Sequence, residues 1–352
     1  MLSMATDIKS TQLYSKALGC ILGGVIGDAL GTPSEGRDYT YIEDNFGWID
    51  DFEGTGTDDT IMKNLLARAL VKTAGYAGRD DWAREWLDDW MAIFGGKKDK
   101  FFASVIHTAH KIRVHRVPRM AALGNMPSSS SAMAIAPVGI INACRPRQAA
   151  EQAYNVASLI HIHDVSFCQD GAAAIAAGVA EAFRPDASVQ SVLESATSFL
   201  EPMSGSEMKT LIERALELAG GCADFKQFRN AAYEQREQFF RPLICDSRET
   251  IPLTLALFAL ADGDFEKSVT YGANFGRDSD TIACMVGGLT GALTGADGIK
   301  SQWTDKILRY GSGEEQVAED LVRTAIKKDA DYTAQHETFQ SLSAGTHKSI
   351  EE

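Results

Sequence analysis

From Tyr14 to Leu30 the apolar residues Leu18, Ile21, Leu22, Val25, Ile26 and Ala29 recur at three and four positions, the spacing of a helix face turned to a core. The same spacing predicts helices over Thr60 to Thr73, Asp80 to Phe94, Ala149 to Leu159, Gly171 to Phe183 and Val189 to Leu200. It predicts others over Ser206 to Leu218, Ile251 to Leu260, Phe265 to Tyr271 and Asp280 to Leu293. Alternating β-branched runs, the mark of half-buried strands, are almost absent. The pattern therefore predicts an all-α fold, a large globular bundle with functional loops at its helix ends.

Within the first helix Gly19, Gly23, Gly27 and Gly31 form a stripe every four residues. A glycine inside a helix costs about 1 kcal/mol relative to alanine, so the stripe predicts a closely approaching backbone, as in tight helix-on-helix packing, or a ligand. Trp82, Trp86 and Trp90 also recur every four residues, with Leu87 and Phe94, as a core-packing stripe. The segment GNMPSSSS at 124–131 is loop-like but runs directly into the apolar AMAIAPVGII, so it belongs inside a domain and not between two. One domain over 12–330 followed by a polar tail over 331–352, without periodicity and fraying at its end, accounts for the chain.

The length of 352 residues and the 45% hydrophobic content exclude a disordered or fibrous chain. Lys and Arg total 34 against 48 Asp and Glu, a net charge of −14 that argues against nucleic acid as a partner. The cysteines Cys20, Cys144, Cys168, Cys222, Cys245 and Cys284 are scattered singly and read as reduced thiols. With no basic leader and no uninterrupted apolar run of membrane length, a soluble cytoplasmic protein is expected.

Candidate chemistry concentrates at Gly56-Thr57-Asp58-Asp59-Thr60-Ile61 and at Gly276-Arg277-Asp278-Ser279-Asp280-Thr281-Ile282. Taken singly, each reads as a helix cap, because Asp, Ser and Thr satisfy N-terminal amides and complement the helix dipole. Taken together, their carboxylates would repel one another strongly unless cations lay between them. Carboxylates with hydroxyls form a hard-oxygen donor set suited to Mg²⁺, Mn²⁺ or Ca²⁺, and a two-metal site of this kind can orient a sugar diol and activate a water. A third group, Gly27-Asp28-Ala29-Leu30-Gly31-Thr32-Pro33-Ser34-Glu35-Gly36, puts Glu35 on a loop, where it is either solvated or an acid, base or gate for that water.

These stretches resemble the ADP-ribosylglycohydrolase family, which includes dinitrogenase reductase-activating glycohydrolase, ADP-ribosyl-acceptor hydrolases and the J1 crystallins. The resemblance runs from Ala17 to Trp303 through GCILGGVIGDALGTPSEG, TDDT, SSAMAIAPVG, Ser158-Leu159-Ile160-His161 and GDFEKSVTYGANFGRDSDTIACMVGGLTGALTG, in the family's order. It implies a compact helical fold and a dinuclear Mg²⁺ or Mn²⁺ centre held by Thr57, Asp58, Asp59, Asp278, Asp280 and Thr281. Glu35, Asp58, Asp59 and Asp280 become the implied catalytic residues. Asp28, Gly124, Asn125, Ser130, Ser131 and His161 become the implied substrate-binding set, and Arg277 joins it as either a binder of a substrate phosphate or carboxylate or a plain surface ion pair.

The implied reaction is hydrolysis of the glycosidic bond of an ADP-ribosyl group on a protein or a small ribosyl molecule. Arg277 stands where many relatives have a second glycine, and Ala134 follows Met133 where they often have arginine. Those departures keep open a smaller anionic N- or O-riboside as substrate. A non-catalytic ADP-ribose reader or a crystallin-like structural protein is a third alternative.

Other patterns have plainer readings. The His161-Ile162-His163-Asp164 run lacks a zinc-like companion and reads as structural, with His161 a candidate for the cleft lining. His107, His110, Lys111, Arg113, His115, Arg116 and Arg119 form a basic stretch that reads as a solvated helix face. Ser128 to Ser131 offer hydroxyls and amides at the expected start of a helix, either a phosphate or ribose cradle or a plain loop.

Overall fold

A computed structural model describes residues 7–95, 100–311 and 313–344, and among these every regular element is a helix. The first part of the chain forms α1 (Gln12–Gly31), α2 (Tyr39–Asn45), α3 (Asp58–Lys72), α4 (Arg79–Asp88), α5 (Trp90–Phe94), α6 (Ala103–His115) and α7 (Pro118–Ala121). The middle forms α8 (Ala136–Ile141), α9 (Pro146–Ala157), α10 (Phe167–Ala182), α11 (Val189–Ser198), α12 (Ser206–Gly220), α13 (Phe225–Glu234) and α14 (Arg236–Phe239). The last part forms α15 (Ser247–Ala261), α16 (Phe265–Phe275), α17 (Ser279–Thr294), α18 (Ser301–Arg309) and α19 (Glu314–Ala344). The all-α expectation holds.

The glycine stripe explains the centre of the fold. A Cβ added to Gly23 would lie 2.2 Å from the Gly287 carbonyl oxygen, and one on Gly27 would lie 2.0 Å from that of Ala283. At the two ends, Gly19 meets Gly291 at 2.3 Å and Gly31 meets the Asp280 Cα at 2.3 Å. Helices α1 and α17 thus run antiparallel with backbones in direct contact, and α17 contributes its own glycines, Gly287 and Gly291, to the seam. The stripe serves helix packing and not a ligand.

Helix α1 has the length and hydropathy of a membrane span over Gln12–Ser34, but 83% of that window is buried inside the protein. It is the core helix of the bundle. Its charged Lys16 is buried because its ammonium donates to the carbonyls of Ala182 at 2.6 Å and Leu293 at 2.9 Å, at the C-terminal ends of α10 and α17. A cation there satisfies carbonyls that the helices cannot satisfy themselves.

Several boundaries differ from expectation. Asp89 divides the expected Asp80 to Phe94 helix into α4 and α5, with Trp82 and Trp86 buried edge to face at 5.2 Å; the Phe94 side chain lies outside the described residues. The polar tail over 331–352, expected to fray, is helical as far as Ala344, because α19 is one continuous helix anchored by buried Ala318, Leu321, Val322 and Ala325. Lys328 reinforces that anchor, donating to Asn142 Oδ1 at 2.9 Å and the Gly75 carbonyl at 3.0 Å. Beyond it the helix is polar and exposed, and 345–352 lie outside the described residues. The basic α6 face is exposed at His107, His110, Arg113, His115 and Arg116.

The seam makes a direct prediction. Gly287→Ala should destabilise the protein by about 3 kcal/mol, because the added methyl meets the rigid Gly23 carbonyl at 2.3 Å and the Val269 side chain at 2.9 Å. Gly220→Ala at the end of α12, where a Cβ would meet nothing within 4 Å, should be neutral or slightly stabilising. Denaturant unfolding of the two variants beside the parent measures the difference.

Candidate active site

The end of α1, the start of α3 and the start of α17 converge on one point. Asp28 near the end of α1 is fully buried and accepts from the Thr57 amide at 2.8 Å, the Thr57 hydroxyl at 2.8 Å, the Thr60 amide at 3.1 Å and the Thr60 hydroxyl at 2.6 Å. It therefore caps α3 from a neighbouring helix. The residues at the cap positions themselves, Thr57 for α3 and Asp278 for α17, make no side-chain capping bond, which removes the simple capping reading of both acidic motifs.

Their side chains face each other instead. The Thr57 hydroxyl reaches Asp280 Oδ2 at 3.5 Å and the Thr281 hydroxyl reaches Asp59 Oδ1 at 3.4 Å, joining segments far apart in sequence. Carboxylate oxygens of Glu35, Asp278 and Asp280 lie within 4.8 Å of one another. The cavity over this cluster, about 380 Å³, is lined by Glu35, Asp58, Asp59, Asp278, Asp280 and Thr281 on its acidic side. Lys100, Phe101, Phe102, Ser129, Ser130, Met133 and the Pro242–Cys245 segment form the rest of its wall.

Burial of so many acids raises their pKa values. Desolvation, followed by the charge of Asp28, pushes Asp58 up to about 8. Desolvation and then the charge of Glu35 push Asp278 up to about 7. Asp59 and Asp280 are raised well above the ordinary carboxylate value, first by burial and then by Asp28 and Asp278 respectively, and Glu35 is raised by burial although Lys100 opposes the shift. Asp59 Oδ2 and Asp280 Oδ1 are buried without a hydrogen-bond partner among the described residues. Orphaned anionic oxygens beside hydroxyl donors, in a set free of sulfur and nitrogen, are the chemistry that fits hard divalent cations.

The serine segment forms the opposite wall. The Ser129 hydroxyl donates to Asp278 Oδ2 at 3.1 Å, and its amide donates to the Cys245 carbonyl at 2.6 Å. His161 lies beneath, with Nε2 2.9 Å from Ser128 Oγ and Nδ1 2.9 Å from Ser131 Oγ. It is fully buried, and desolvation pushes its pKa down to about 3, so it is a neutral strut. His163 is exposed, so the two histidines share no ligand. The serines are not at a helix start, since α8 begins only at Ala136.

Five residues in the implied substrate-binding set are committed elsewhere, His161 among them through its two serines. Asp28 is saturated by Thr57 and Thr60. Asn125 is buried, and its side-chain amide donates to Thr108 Oγ1 and to the Ile160 carbonyl, both at 2.8 Å, while its Oδ1 lies 2.6 Å from His107 Nδ1. Ser131 is buried against His161. Arg277 makes a two-pronged ion pair with the fully buried Glu249, at 2.7 and 2.8 Å, and lies over the Phe240 ring. Gly124 turns the chain at φ +76° without lining the cavity, and of this set Ser130 is the one that does line it. Ala134, at the second departure from the family pattern, is fully buried.

Known proteins are similar to this chain over most of its length. The family model described as ADP-ribosylglycohydrolase matches residues 9–331. The uncharacterized protein YegU of Escherichia coli is 27% identical over 310 residues, covering 81% of this chain and 89% of its own. Human ADP-ribosylhydrolase ARH3 is 22% identical over 334 residues, covering 86% of this chain and 91% of its own. A solved structure titled ADP-ribosylglycohydrolase-related protein complex superposes with a TM-score of 0.67 at 20% identity, over 89% of this chain and 99% of that one, and so shares the fold.

The acidic cluster sets the sign of a pH effect. A carboxylate whose folded pKa lies above its unfolded value of 3.8 costs nothing below 3.8, and its full penalty appears above the folded pKa, about 7 for Asp278 and about 8 for Asp58. In chelator the melting temperature should therefore fall as pH rises from about 5 to about 8. Mg²⁺ should restore it, and more so at the upper end. A melting curve indifferent to both pH and cation would contradict the cluster's electrostatics.

Proposed function

The chain belongs to the ADP-ribosylglycohydrolase family, and on that premise we propose that it hydrolyses the C1 glycosidic bond of an ADP-ribosyl group in the cavity lined by Glu35, Asp58, Asp59, Asp278 and Asp280. The observation that carries this reading is the meeting of the two acidic motifs through the Thr57–Asp280 and Thr281–Asp59 contacts, which gathers the family's residues around one cavity.

Thr57, Asp58, Asp59, Asp278, Asp280 and Thr281 are the donor set for two divalent cations, Mg²⁺ or Mn²⁺. When bound, these supply positive charge for a ribose diol and a more acidic water. The protein's own groups do the rest. The carboxylates stabilise the positive charge that develops at C1 and O4 of the sugar as the bond loosens. Glu35, on the loop after α1 and with its pKa raised by desolvation, exchanges a proton with the attacking water or the departing atom.

Ser129 and Ser130 offer hydroxyls to the sugar, and Phe101, Phe102 and Met133 exclude water from one side of the cavity. Buried Asp28 holds the Thr57–Thr60 turn in register, so it acts through that turn and not on the substrate. A smaller anionic riboside loses the support that Arg277 lent it, because the Arg277 charge is spent on Glu249.

Glu35→Gln should lower kcat by roughly 10²- to 10⁴-fold with little change in Mg²⁺ affinity, as expected for loss of a proton-transferring group. Asp58→Asn and Asp280→Asn should lose both turnover and the cation-induced rise in melting temperature. Release of ADP-ribose from an ADP-ribosylated protein, followed by chromatography, reads the first effect, and thermal shift reads the second. Full activity in both Asp variants would remove the proposal.

A further inference from the structure

A second cavity, of about 300 Å³, adjoins the acidic one. Glu35 lines the first and Gly36 the second, Asp278 the first and Arg277 the second, and Ile244 lines both. Two backbone hydrogen bonds join their shared rim, from the Gly36 amide to the Arg277 carbonyl at 2.8 Å and from the Arg277 amide to the Arg37 carbonyl at 2.7 Å. Arg277 sits at φ +63°, a left-handed conformation that costs a residue with a side chain, and the Glu249 ion pair holds it there.

The charge of the second cavity is opposite to that of the first. Arg37 and Arg236 line it, are exposed, and make no ion pair with any described residue; the Arg37 guanidinium lies over the Tyr41 ring at 4.7 Å, a contact that leaves its N–H donors without a carboxylate partner. The one acid on its wall, Asp38, is engaged as the cap of α2, accepting from the Thr40 hydroxyl at 2.6 Å and the Tyr41 amide at 2.9 Å. Tyr39, Tyr233 and Phe240 supply aromatic walls. In a chain of net charge −14, two exposed guanidinium groups without a carboxylate partner among the described residues, next to a carboxylate cluster, are a local reversal of sign.

We propose that this second cavity is the subsite for the leaving group of the reaction and that it takes an anionic one, with a carboxylate or phosphate held by Arg37 and Arg236. The inference rests on glycosidic cleavage at the acidic cavity. In that reaction the C1–N or C1–O bond breaks with its electron pair going to the leaving group. The water oxygen bonds to C1, and a proton from that water reaches the leaving atom by way of Glu35, at the rim between the cavities. The acidic cluster alone would repel an anion from this exit. Guanidinium groups, with their paired donors, reverse that preference and favour planar or tetrahedral oxyanions.

The test uses the full-length protein loaded with Mg²⁺ and isothermal titration with phenyl phosphate, benzoate and the neutral control benzyl alcohol. The parent should bind at least one anion and not the alcohol, phenyl phosphate alone pointing to a phosphorylated leaving group and benzoate alone to a carboxylate. Arg37→Ala/Arg236→Ala should weaken that binding by at least about ten-fold, with Mg²⁺ affinity and helix content unchanged. Saturation with ADP-ribose should leave the anion bound.

Equal affinity in parent and variant, displacement of the anion by ADP-ribose, or no anion binding by the parent would overturn the subsite. Arginine-dependent anion binding in a protein that neither binds nor releases ADP-ribose would keep the anion site while overturning the ribosyl reading, so the two failures are distinguishable.

Discussion

The contact on which the structure depends is the glycine seam between α1 and α17. Two helices whose carbonyl oxygens would touch any added Cβ can run closer than ordinary side chains permit. That closeness sets where their ends fall. The end of α1 delivers Asp28 to the first turn of α3, and the start of α17 delivers Asp278 and Asp280 beside it. A looser crossing would separate the helix ends and, with them, the carboxylates. The glycines of the motif and its acids are therefore parts of one device.

That device works against its own electrostatics. Burial raises every acid in the cluster, and two carboxylate oxygens have no hydrogen-bond partner among the described residues. Packing elsewhere offsets the repulsion, in a core that runs through most of the helices. A binding site built from mutually repelling groups has high affinity for whatever neutralises them, which is why its instability and its chemistry share one origin.

Around the cluster lies a shell of polar residues with one ordered partner for each donor. His161 braces two serines, Asn125 ties α6 to the loop before the serines, and Arg277 ties the motif of α17 to Glu249 on α15. Each has the functional groups of a ligand contact, yet each is consumed inside the protein. Residue type alone does not separate the two fates. The deciding fact is the position of a hydrogen-bond partner on another element, such as Ser104 and Thr108 for the neighbourhood of Asn125 or Glu249 for Arg277.

The apolar residues on the cavity wall were silent for the converse reason. Phe101, Phe102, Met133 and Leu243 carry no polar signal, and at helical or loop spacing they look like any other core residue. The same holds for α19, whose anchor at Ala318, Leu321, Val322 and Ala325 keeps helical spacing within a mostly polar stretch. What the sequence by itself determined was the all-helical class, the close approach along the glycine stripe and the acidic motifs with their hard-oxygen chemistry, because these follow from periodicity and from the donor atoms of each residue type. The tertiary structure decided that the two motifs meet, that Asp28 caps a helix other than its own, and that Arg277 is spent on Glu249 while Arg37 and Arg236 form no ion pair with any described residue. Those outcomes depend on distances between segments far apart in the chain, and only the packing of the helices sets such distances.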